Sequence, residues 1–280
     1  WHVTRFTEGE RKHNWPCQRG FDDYYGILAG AANYYQPRTL TRNNEGIEPE
    51  GDDYFLTDAI SDEAVCQLRE HAEKRPRDPF FQYVAYTAPH WPLHAHPEDI
   101  ARYAGRFDVG WDELRRERLQ RMIDLRIIDT GWELTERDPR VGPWAETGDR
   151  EWQTRRMEVY AAQIDRMDQG IGRILQALEE TGQRDDTLII FLADNGGCAE
   201  ELGPRKGGAG RNPIATEQTR DGRAVQRGND PGVMLGGEET YQSYGIPWAN
   251  VSNTPFRLYK HWVHEGGIST PFIANWPAGI

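Results

Sequence analysis

Three short stretches hold residue types that could act on one small anion. Asp194 and Asn195 set a carboxylate beside an amide carbonyl, an oxygen pair suited to a hard divalent cation such as calcium or magnesium. Gly196 and Gly197 follow, which let the backbone turn sharply and a ligand come close. His90 lies between Pro89 and Pro92, so its imidazole sits on backbone with few alternatives, as a hydrogen-bond donor to an anion or a leaving group requires. Lys260 follows Phe256-Arg257-Leu258-Tyr259 and precedes the Glu265-Gly266-Gly267 turn, and its ammonium can neutralise a tetrahedral oxyanion. Each stretch alone reads as readily as a plain turn or a solvated charge. Their combination points to a metal-assisted, anion-shaped pocket.

Strand ends must bring these residues together, because open α/β sheets form their sites there. Residues 80–87 are rich in aromatic and branched side chains and predict a buried strand that delivers His90 just past its end. Residues 187–193 are a continuous apolar run, suited to a strand covered on both faces and ending at Asp194. Residues 271–276 predict a further strand of the same sheet. Over 61–74, Ala64, Val65, Leu68 and Ala72 recur at helical spacing, with Ser61 as N-cap and Arg75-Pro76-Arg77-Asp78-Pro79 as the stop. Met157, Tyr160, Ile164, Met167, Ile171, Ile174, Leu175 and Leu178 form a longer stripe, and Gly182 fits its C-terminal cap. The layout predicts a three-layer α/β core. Residues 102–150, which mix charge and Trp around a helix near 111–128, are assigned to an insertion. Residues 203–245, Gly-rich and aperiodic, are assigned to a long loop beside the pocket.

Composition removes several classes of function. At 280 residues the chain can form one large domain or two small ones. A formal charge of -12 argues against a broad nucleic-acid footprint, which needs clustered Lys and Arg. Cys17, Cys66 and Cys198 are odd in number, far apart and without zinc-type spacing. No apolar run approaches the roughly 18 to 20 residues that cross a bilayer. Residue 1 is Trp, with neither an initiator Met nor a leader, and the expectation is an internal or processed fragment.

Taken together, Ala88-Pro89-His90-Trp91-Pro92-Leu93, Asp194-Asn195-Gly196 and Arg257-Leu258-Tyr259-Lys260 with Gly266-Gly267 resemble the type I sulfatases, the arylsulfatase family. Gly20-Phe21-Asp22-Asp23-Tyr24-Tyr25-Gly26 is similar to the stretch after that family's Gly-Lys-Trp-His motif, and Trp1-His2 to the motif's last half. The resemblance spans essentially the whole chain. It implies an α/β/α alkaline-phosphatase-like core, here an incomplete sulfatase catalytic domain over 1–280, and hydrolysis of sulfate monoesters. It also implies that Asp194 and Asn195 bind one calcium ion, Asp194 also lying near the nucleophile. His90 and Lys260 would hold the sulfate and assist departure of the alcohol, and His2 would contact the nucleophile and help regenerate it. In this family the nucleophile is a formylglycine hydrate, made by a maturing enzyme from Cys or Ser in a Cys/Ser-x-Pro-x-Arg motif.

This sequence departs from the family pattern at that motif. Cys17 precedes Gln18-Arg19-Gly20, Cys66 precedes Gln67-Leu68-Arg69, Cys198 precedes Ala199-Glu200-Glu201, and no Ser-x-Pro-x-Arg occurs. The family's early paired aspartates are missing too. The resemblance thus puts these parts upstream of residue 1, and the chain alone is expected to be inactive. The implied substrate is a sulfated small molecule or a sulfated glycan, and the implied location periplasmic or extracellular. Two other readings stay open: a phosphate mono- or diester hydrolase of the same superfamily, with His94, His96, His261 and His264 as ligands of two zinc ions, and a non-catalytic binding homologue.

Overall fold

A computed structural model describes residues 12–203 and 216–280. Its first part is an antiparallel meander of three short strands, β1 (Tyr25–Ile27), β2 (Leu40–Arg42) and β3 (Glu45–Gly46). Four helices follow: α1 (Leu56–Lys74), α2 (Pro97–Ala101), α3 (Gly110–Asp124) and the 31-residue α4 (Arg150–Glu180). The rest of the chain is β4 (Ile189–Leu192), β5 (Gln226–Arg227), β6 (Thr240–Tyr241), α5 (Gly245–Ser252), α6 (Glu265–Ile268) and β7 (Phe272–Asn275).

Ser61 does not cap α1. The helix begins at Leu56, because Leu56 and Ile60 extend the Ala64–Leu68 face back by two turns at steps of four. Ser61 is instead the point where α1 meets α4. Its Oγ donates to the Thr57 carbonyl at 2.8 Å and lies 2.8 Å from the Tyr86 hydroxyl. A Cβ on Gly170 of α4 would run into that Oγ, so glycine permits the close helix crossing. Gly182 closes α4 as expected, at φ +71, with Gly182 N–H donating to the Glu179 carbonyl and Gln183 N–H to that of Leu178.

α4 is the spine of the core. Val159, Ala162 and Ala177 are fully buried on it. Residues 102–150 add Phe107, Trp111, Leu114, Val141 and Trp144 to the same core, where Trp111 and Trp144 pack edge-on and tilted against the fully buried Trp248 of α5. Residues 216–245 are also built in. Leu235, Tyr241 and Tyr244 are buried, β5 and β6 pair in parallel, and Leu93 and Ala95 donate to the carbonyls of Gln242 and Gly236. Residues 204–215 lie outside the described residues.

The strands differ from expectation in two respects. β4 and β7 share a sheet, but as an antiparallel ladder of two, Ile189 opposite Asn275 and Leu192 opposite Phe272. β4 is covered on one face only: Ile189 and Phe191 pack inward, whereas Ile190 and Leu192 are exposed, as are Phe272 and Ile273. Residues 80–87 run extended with strand-like alternation, Phe80, Val84 and Tyr86 inward and Phe81 and Tyr83 outward, yet pair with no strand among the described residues. Alternation needs only an apolar surface on one side. A ladder also needs a neighbour with free N–H and C=O groups.

Candidate active site

His90 stands just past the extended segment and is fixed through its backbone. Its carbonyl accepts from the buried Tyr34 hydroxyl at 2.9 Å, and Gln163 of α4 reaches the carbonyls of both His90 and Pro92. His90 Nδ1 lies 2.8 Å from the Trp91 carbonyl. A carbonyl can only accept, so Nδ1 carries the proton and the Nε2 lone pair faces the pocket. Lys260 Nζ sits 3.2 Å from that Nε2, 170 positions away in sequence. Burial is the main reason the imidazole titrates below its ordinary 6.5. The Lys260 charge also lowers it; the Trp91 carbonyl and the Glu200 and Asp194 charges act in the opposite sense.

Two glycine pairs explain how Lys260 arrives there. Gly196 N–H donates to the Gly267 carbonyl at 3.0 Å, Gly266 N–H to that of Arg257 at 3.0 Å, and Lys260 N–H to that of Gly197 at 3.1 Å. A Cβ on Gly196 would overlap the Gly266 carbonyl, and one on Gly266 the carbonyls of Leu258 and Arg257. The loop after β4 and the turn before β7 therefore cross backbone to backbone. Asn253, nearly buried at the end of α5, holds the crossing. It accepts from Gly197 N–H and donates to the carbonyls of Leu258 and Gly266, each at 2.8 Å.

A carboxylate completes the cluster. Glu200 Oε2 accepts from the Trp91 indole N–H at 2.7 Å and from the Cys198 thiol at 3.2 Å, and lies 3.8 Å from Lys260 Nζ. Its Oε1 meets His261 Nε2 at 3.0 Å. Burial alone would raise this carboxyl, but the hydrogen bonds from His261, Cys198 and Trp91 and the Lys260 charge outweigh it and bring it down to about 2. His90, Cys198 and Glu200 offer ligand atoms within 4.8 Å of one another, a group able to hold a metal ion.

Of the residues singled out from sequence, His90 and Lys260 meet. Asp194 is exposed just beyond β4, its charge acting on His90, and Asn195 beside it is half-buried. His2 lies outside the described residues. The four histidines of the two-zinc reading are dispersed. Buried His94 accepts from Tyr34 N–H and faces the Thr240 carbonyl, which leaves no nitrogen for a metal, and burial brings it down to about 4. His96 lies near Asp58, His261 on Glu200, and the His264 carbonyl caps the turn at Gly267. Asn253, Glu200 and the indole of Trp91 were not picked out from sequence. An asparagine just before Thr254-Pro255 marks a helix end, but not bonds to three backbone groups of the crossing.

The sulfatase family model matches residues 1–280, end to end. The chain belongs to the sulfatase family. Among curated sulfatases it is 31% identical to the arylsulfatase of Klebsiella aerogenes over 279 residues, covering 94% of this chain and 56% of that protein. It is 30% identical to an uncharacterized sulfatase of Schizosaccharomyces pombe, covering 99% of this chain and 50% of the relative. This chain spans about half the length of these relatives. Its backbone is similar to the crystal structure of Ps i-CgsB in complex with k-i-k-neocarrahexaose, with a TM-score of 0.53 and 24% identity, over 96% of this chain and 42% of the other. The fold is thus the alkaline-phosphatase-like α/β fold of the sulfatases. Among the described residues no helix is long and apolar enough to cross a membrane.

Proposed function

We propose that this chain supplies the sulfate-holding and leaving-group side of an arylsulfatase-like sulfuric ester hydrolase. A sulfate monoester carries one negative charge, and cleavage moves charge onto the leaving oxygen. Preorganised cations facing that oxygen stabilise the transition state. Lys260 Nζ and His90 Nε2, 3.2 Å apart, face one small volume, and this contact carries the reading. In the resting pocket His90 is neutral, with its lone pair toward Lys260. An arriving anion favours the imidazolium, so Nε2 takes up a proton that it can give to the departing alcohol oxygen.

The oxygen donors Asp194 and Asn195 fit part of the shell of a calcium ion, which takes six to eight oxygens. Such an ion, bound there, would add positive charge against the sulfate. Attack on sulfur is the task of a formylglycine nucleophile, whose motif these 280 residues do not contain. The residues described here bind, orient and protonate. The proposed substrates are sulfated small molecules or sulfated glycans. The arylsulfatase relative supports the first and the neocarrahexaose complex the second. A sulfatase-maturing enzyme as partner and a periplasmic or extracellular location belong to the same proposal.

In the full-length protein, Lys260→Ala or His90→Ala should lower turnover of an aryl sulfate by roughly a hundredfold or more. Near-normal rates in both variants would refute the assignment.

A further inference from the structure

The geometry points to a second cation site in this pocket, formed by His90, Cys198 and Glu200, that takes a thiophilic divalent ion of the zinc class. Nitrogen, sulfur and oxygen donors make a soft set, unlike the oxygen pair at Asp194 and Asn195. The three ligand atoms already lie within 4.8 Å of one another, and Cys198 Sγ is 3.2 Å from Glu200 Oε2. Tetrahedral zinc, with bonds of about 2.0 to 2.3 Å, sets its ligand atoms about 3.3 to 3.6 Å apart and requires a contraction of at most about 1.5 Å at the widest pair. All three residues are half-buried, which leaves room for a fourth ligand from solvent.

The surroundings are those of an oriented metal site. Ligating histidines generally give their other ring N–H to a carbonyl or carboxylate, and His90 Nδ1 already does so to Trp91. Ligating carboxylates are themselves hydrogen-bonded, and the Trp91 indole and His261 hold Glu200. The space between His90 Nε2 and Glu200 Oε2 is already a cation position, with the Lys260 ammonium at 3.2 and 3.8 Å. Metal and ammonium cannot share it. Binding forms a bond from the ion to His90 Nε2, to a Glu200 oxygen and to the Cys198 thiolate, releases the thiol proton to water, and turns Lys260 away. Metal and sulfate then compete for the same residues, a consequence that rests on the proposed sulfate pocket.

The test uses Co²⁺ as the probe in place of zinc, because a thiolate ligand gives it a near-ultraviolet charge-transfer band. Titration of the protein with Co²⁺ under saturating calcium should produce that band. Cys198→Ser should abolish it, while Cys17→Ser and Cys66→Ser keep it. Lys260→Ala should tighten Co²⁺ binding roughly tenfold or more by removing a competing charge about 4 Å away, the opposite of its effect on sulfate. Absence of the band, or its persistence in Cys198→Ser, overturns the site. A band that inorganic sulfate fails to reverse leaves the metal site standing and overturns the competition between metal and sulfate.

Discussion

The loop crossing and the β4–β7 ladder sit end to end in the chain, yet are built on opposite terms. At the crossing, backbone meets backbone with no room for a methyl group, and Asn253 takes up one N–H and two carbonyls. In the ladder, four residues pair with four while Ile190, Leu192, Phe272 and Ile273 are left exposed. Tolerance to change should therefore differ sharply within a few residues. The part with the least hydrophobic surface is the part with the tightest geometry.

The sharpest contrast comes from the crossing. Asn253→Ala leaves three backbone groups without their partner and should cost about 4 kcal/mol, at about 1 to 3 for each buried group. Gly196→Ala pushes a methyl group into the Gly266 carbonyl and should cost about 3 kcal/mol. Urea denaturation of both variants is the check, and losses under 1 kcal/mol would show that the loops separate easily.

A second contrast is in pH. His94, buried and neutral, titrates at about 4 in the fold against an ordinary 6.5. Between these values the unfolded chain binds more protons than the native one, so stability is full above about 6.5 and falls as pH drops toward 4. The loss reaches about 3 kcal/mol, from about 1.36 kcal/mol per unit. Glu200 acts in a lower window: its lowered value stabilises the fold above 4.5, a contribution lost as pH falls toward about 2. Denaturation curves at pH 7 and pH 4.5 should differ accordingly, and His94→Asn should flatten the difference.

The smallest effect is expected in the ladder. Leu192→Thr, on the exposed face, should shift stability by no more than about 0.5 kcal/mol. A loss above 2 kcal/mol would mean that this face is packed in solution, and the comparison would fail. Large exposed apolar patches generally mark surfaces that are covered in use.

Legibility in the sequence followed the same division. His90 and Lys260 stood out only when the three stretches were taken together, since each alone reads as a turn or a solvated charge, whereas α4 could be read because its stripe repeats for many turns. Ser61 misled because a serine before an apolar run looks like a cap, while what placed it was Gly170, more than a hundred residues on. Residues 80–87 revealed their strand-like composition but not that they would lack a ladder, and β4 its sheet-mate but not its one-sided cover, since pairing and coverage are properties of the neighbour. Asn253 and Glu200 each join near neighbours to residues remote in the chain, Gly197 for the one and Trp91 and His261 for the other, and the remote partners cannot be read from their own surroundings.

Trp91 joins two tasks in one residue. Its main chain sets the direction of the imidazole, and its ring holds the acid on the far side of the lysine. Trp91→Phe would keep the first grip and release the second. One side chain thus works as a pivot pin, from which the basic and acidic halves of the pocket could be adjusted separately.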